Sequence, residues 1–171
     1  MGQLIGTLVG MITAFVICFI VLTFGSLMPE ALIPASVVGD FLSRPDLELR
    51  FAIVGTVLYP SALGGQSLAA LLGMGAGNST VLMFLAWGTG GLVAGLLARG
   101  LIQGILAAVF SAIFGAVLIW LLIFFVQTTD VSALFGTASM LILQAAFEGC
   151  IYPGIAAVIG GILGGAITRQ R

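Results

Sequence analysis

The sequence predicts an all-α fold, a polytopic integral membrane bundle of about five transmembrane helices within a range of four to six. Composition is the first reason: of 171 residues, 61% are hydrophobic and 6% charged, against roughly 25% charged in soluble domains. Distribution is the second, because the apolar residues fall into uncharged stretches near the ~20 residues that cross a bilayer as a helix. The third is glycine, 25 residues of it, recurring at the four-residue spacing that lets helix backbones approach one another in lipid. Residues 1–171 are therefore expected to form a single transmembrane domain with short connections.

The first stretch, residues 2–24, has no positive segment ahead of it and exceeds the roughly 7–15 residues of a signal-peptide core, so it reads as a retained span. Residues 25–50 form a polar connection. Pro29, Pro34 and Pro45 interrupt any long helix there. Val37, Val38, Phe41 and Leu42 recur at helical spacing between them, which suits a short interfacial helix that packs on the bundle or docks a partner.

The second stretch, residues 51–77, contains Pro60 and six glycines. A Pro kink, a Gly pair and polar side chains in mid-stretch describe a broken helix, tolerated where it is buried in protein or faces a watery cavity. Tyr59, Gln66 and Ser67 are the candidate lining of a small polar cavity. A plain kink with hydrogen-bonded hydroxyls is the simpler structural reading. The third and fourth spans are residues 80–98 and 101–126, and the fifth is 149–168, with Pro153 in its first turns. An apolar piece at 131–147 is about 17 residues long, at the lower edge of what crosses. It is assigned with the outer segment 127–148 as an interfacial or re-entrant element. Glu148 is the ionisable residue nearest apolar territory, and it joins the cavity set as a group able to bind a cation or exchange a proton.

Positive residues near span ends stay cytoplasmic. Arg99 lies between the third and fourth spans, and Arg169 and Arg171 end the sequence. Tracing back through five spans puts Arg44 and Arg50 on the same side, with the N-terminus outside, the C-terminus cytoplasmic, and the cell membrane as the location. If residues 51–77 re-enter without crossing, the count is four and the N-terminus is inside.

Small-xxx-small pairs mark helix contacts, and Gly91, Gly95, Gly161 and Gly165 are assigned to helix packing. Their neighbours are other helices of this chain, a second copy, or a different membrane subunit. Residues 90–99 also echo 160–169, with three matching glycines and a final Arg, a weak sign of internal repetition.

The sequence has no Lys and no His. Without Lys, the Gly run at residues 73–77 cannot be a phosphate-binding P-loop. Without His there is no ordinary haem ligation, imidazole zinc site or His acid–base catalyst. Cys18 and Cys150 read as free thiols that behave as small hydrophobes, and Asn78-Ser79-Thr80 serves only as evidence of a loop. Nothing pairs a nucleophile with a base. No enzyme activity, cofactor, metal or nucleic acid is expected. The sequence points to a non-catalytic membrane subunit or scaffold of a larger assembly, with the lipid bilayer and a homo-oligomer or other membrane subunits as partners. The alternative is an oligomeric channel or transporter for a small solute or ion.

Overall fold

The computed structural model describes residues 2–60, 80–127, 132, 134 and 136–169. The described residues form seven α-helices: α1 (Gly2–Thr23), α2 (Ala35–Ser43), α3 (Leu47–Leu58), α4 (Thr80–Ala98), α5 (Leu101–Gln127), α6 (Thr137–Glu148) and α7 (Ile151–Arg169). A single 3-10 turn, Gly25–Leu27, follows α1. Four stretches are long and apolar enough to cross a membrane: Gly2–Thr23, Val81–Ala98, Leu101–Gln127 and Thr137–Thr168. The chain is an all-α, multi-pass bundle, with four candidate spans among the described residues.

Glycine contacts set the directions of the long helices. Gly2 lies beside Leu97 and Ala98, Gly6 beside Ala94, and Gly10 beside Gly90, so α1 and α4 are antiparallel. Arg99 and Gly100 turn the chain into α5. Arg99 has φ 58°, the left-handed conformation with which many helices end and which glycine usually supplies. Its side chain there costs roughly 1–2 kcal/mol. Gly104 of α5 meets Gly161 of α7, and Gly100 meets Gly165, so α7 is antiparallel to α5 and parallel to α4.

Gly2, the Arg99-Gly100 turn and the end of α7 therefore share one end of the bundle, the termini end. The opposite, cap end carries α2, the start of α3 and α6. In the four-span alternative, where residues 51–77 re-enter without crossing, the two termini share a side, as Gly2 and the end of α7 share an end here. Arg44 and Arg50 precede Phe51, whose ring lies 5.4 Å from that of Phe19 near the cap end of α1, so these two arginines lie at the end opposite Arg99. Helix α3 starts at the cap end, and α4 starts there too. Of the expected second span, residues 61–77 lie outside the described residues.

Helix α4 is the axis of the bundle. A Cβ on Gly95 would lie 2.5 Å from the carbonyl oxygen of Gly161 and 2.8 Å from the amide nitrogen of Gly165. Gly91 faces the backbone of Ala157 just as Gly160 faces that of Gly88, and Gly95 faces Gly161 as Gly164 faces Leu92. The pair thus has a local two-fold, in which Gly160 and Gly164 are the counterparts of Gly91 and Gly95. That register is one residue away from the sequence echo, about 100° around a helix. Gly161 and Gly165, which the echo aligns with Gly91 and Gly95, also turn toward Gly104 and Gly100 of α5. Two adjacent glycine stripes let α7 wedge between α4 and α5. Ser111 ties α5 to α1, its Oγ donating to the carbonyls of Thr7 (2.7 Å) and Ala107 (2.8 Å).

The cap half is filled differently. Val37, Val38 and Phe41 of α2 are buried, and Phe41 meets Phe19 edge-on at 5.4 Å. Trp120 Nε1 donates to the backbone oxygen (3.1 Å) and Oγ (3.2 Å) of Ser139, fastening α6 to α5. Gly149 and Cys150 connect α6 to α7. Pro153 is tolerated as the third residue of α7, where no intrahelical N–H is required.

Backbone cannot yield to a new Cβ as a side-chain tip can. Gly95→Ala should therefore lower the stability of the detergent-solubilised protein by about 1–3 kcal/mol, read from thermal unfolding. Gly154→Ala, where a Cβ would meet nothing within 4 Å, should change it by no more than about 0.5 kcal/mol.

Candidate functional site

The most constrained polar group in the interior is the end of α3. Tyr59 precedes Pro60, and a residue before proline is driven out of the helical conformation. Tyr59 has φ −126° and ψ 67°, and its N–H closes the helix on the carbonyl of Gly55. Helix ends leave carbonyls without intrahelical donors. Here Trp87 Nε1 donates to the Leu58 carbonyl at 3.1 Å.

Tyr59 is 1% exposed, and its hydroxyl donates to the carbonyl of Ala112 at 2.8 Å, near the middle of α5. Its ring meets Trp87 edge-on with centroids 5.5 Å apart, and Phe15 approaches Trp87 from α1 at 6.4 Å. Gly115 makes room for this cluster: a Cβ there would collide with the Tyr59 hydroxyl and lie 3.0 Å from the Trp87 ring. On the other side, a Cβ on Gly149 would lie 2.7 Å from the Tyr59 carbonyl oxygen. Helices α1, α4 and α5 and the α6–α7 turn therefore converge on one residue.

The remaining sequence candidates are distributed as follows. Gln66 and Ser67 lie outside the described residues. Glu148 ends α6, one residue from the Gly149 contact, and its Oε1 accepts a hydrogen bond from Gln144 Nε2 at 2.7 Å. Gly91, Gly95, Gly161 and Gly165 all lie in the contacts among α4, α5 and α7. Cys18 is buried and Cys150 half-buried, both as free thiols. The sequence reading did not single out Trp87, Gly115 or Gly149. Only Trp87 carries a signal of its own, since a buried indole N–H needs an acceptor.

With its proton engaged by a helix carbonyl, the Tyr59 hydroxyl anchors the end of α3 inside the bundle. Comparison with family models, curated proteins and solved structures finds no match.

Tyr59→Phe keeps the ring and removes one hydrogen bond, which should cost about 0.5–1.5 kcal/mol. Gly115→Ala forces the ring cluster apart and should cost more, about 1–3 kcal/mol. Unfolding of both variants in detergent checks the order.

Proposed function

We propose that the protein is a non-catalytic subunit or scaffold of a cell-membrane assembly. The observation that carries this reading is the close packing of the described interior. The glycine seams are filled by the chain's own backbone. Among the described residues the buried Thr7, Thr56, Ser111, Ser139 and Tyr59 are each hydrogen-bonded. By contrast, large apolar side chains on the outer faces of α1 and α5 stand exposed, among them Leu4, Ile12, Ile102 and Phe114. Lipid or neighbouring helices suit such faces.

Orientation belongs to the same proposal. The termini end holds Arg99 and the end of α7 at Arg169, with Arg171 following in sequence. The cap connection holds Arg44 and Arg50 among Glu30, Asp40, Asp46 and Glu48. We read the termini end as cytoplasmic, on three arginines against two. One observation favours the second reading, an oligomeric channel or transporter: α3 stops within the bundle, and helices that end inside a membrane bundle build transporter binding sites.

Native mass measurement in mild detergent should give a particle heavier than the 17.5 kDa chain, through added copies or other subunits. A lone monomer would overturn the scaffold reading, and solute flux into liposomes holding the purified protein would replace it with the transporter. In a background without Cys18 and Cys150, single cysteines at Gln3 and Gln103 should label from the cytoplasmic side and one at Ser43 from the opposite side. Labelling of Gln3 and Gln103 from opposite sides would contradict the four-crossing arrangement.

A further inference from the structure

Helices α1 and α5 run side by side in the same direction and separate toward the cap end, leaving a groove of about 410 Å³. It follows α1 from Met11 to Ile20, is walled by Leu118 and Leu122 of α5, and ends under Phe51 of α3. Every lining side chain is apolar. Ile12, Val16, Ile20 and Leu118 on its edges are about half exposed, so in a bilayer the groove opens sideways onto hydrocarbon. Nearer the termini end the two helices are tied by the hydrogen bond from Ser111 to the Thr7 carbonyl.

Two features select the occupant. From Met11 to Ile20 the groove spans about 14 Å at ~1.5 Å per helical residue, close to half of a ~30 Å hydrocarbon core. One leaflet is that deep, whereas a partner's transmembrane helix would use the full height. A cation is the chain neighbour of the groove residue Phe51. Arg50 precedes Phe51, and its guanidinium carbon lies 5.4 Å from the ring centroid of Phe41, which in turn meets the groove residue Phe19. Arg50 Nε donates to the Arg44 carbonyl at 2.7 Å, while its terminal nitrogens make no hydrogen bond or ion pair among the described residues. A guanidinium held this way presents a planar fork suited to a phosphate.

We propose that the groove seats one acyl chain of a glycerophospholipid from the cap-side leaflet, with the lipid phosphate at Arg50. The proposal rests on insertion of the four apolar stretches in a bilayer and is independent of the scaffold reading.

The test is native mass spectrometry of the purified protein in mild detergent, titrated with dioleoyl phosphatidylglycerol. One lipid should remain bound under activation that strips the others. Arg50→Gln should lower its retention about tenfold, the loss of a charge-assisted contact. Leu118→Trp, which fills the groove, should lower it similarly, and Leu163→Trp, on the exposed face of α7, should leave it unchanged. Dioleoylglycerol, with the same chains and no phosphate, should bind wild type and Arg50→Gln equally. Three results would overturn the proposal: no single retained lipid on wild type, retention unaffected by both Arg50→Gln and Leu118→Trp, or a polypeptide lost on Leu118→Trp in place of lipid. Arg50→Gln, a substitution outside the packed core, keeps the test decisive should Leu118→Trp fail to fold.

Discussion

Direct contact between helix backbones along α4 is the constraint on which the rest of this structure depends. In a bilayer the hydrocarbon is as apolar as any leucine, so burying side chains against one another supplies little association, and close van der Waals packing must supply it. Such packing falls off steeply once atoms separate by a fraction of an ångström. Where Gly91 and Gly95 face Ala157 and Gly161, and Gly6 and Gly10 face Ala94 and Gly90, no side chain intervenes. The termini half of the bundle is held by the absence of side chains as much as by their presence.

The cap half is the consequence. At 27 residues, α5 is about 40 Å long at ~1.5 Å per residue, well beyond a ~30 Å hydrocarbon core, and its far end offers a wall for other elements. There α3 inserts with large side chains where α1, α4 and α7 have glycine nearer the termini. Trp87, Tyr59, Phe41 and Phe124 are among the largest fully buried side chains. Inserting α3 brings polar backbone inside, and the cost of an unpaired carbonyl there is of the order of 1–3 kcal/mol. The Trp87 donor to Leu58 removes one such cost, and the Tyr59 hydroxyl converts the new helix end into a tie to α5.

Much of this was legible in residue order. Uncharged stretches located α1, α4, α5 and α7, since membrane helices depend on length and composition, and the spacing of Val37, Val38 and Phe41 located α2. The Tyr59-Pro60 break was legible too, because proline acts on its own neighbours. The convergence of Trp87, Gly115 and Gly149 on Tyr59 was not, for these residues are far apart in the chain and each looks ordinary in its own helix. The internal echo shows the limit of pattern alone. It aligns Gly91 with Gly161, but a shift of one residue moves the stripe to another face, and Gly160 takes that seat.

Sequence alone pointed to a bilayer, to the stretches that form the long helices, and to the chemistries that its missing Lys and His exclude. These follow from local composition, which hydrocarbon reads one segment at a time. Tertiary structure alone decided which ends share a side. Arginines constrain that choice only through the number of crossings. The contacts of Gly2 with Leu97 and Ala98, of Gly10 with Gly90 and of Gly104 with Gly161 set which helix ends lie together, because the order of contacts along two helices fixes their relative direction.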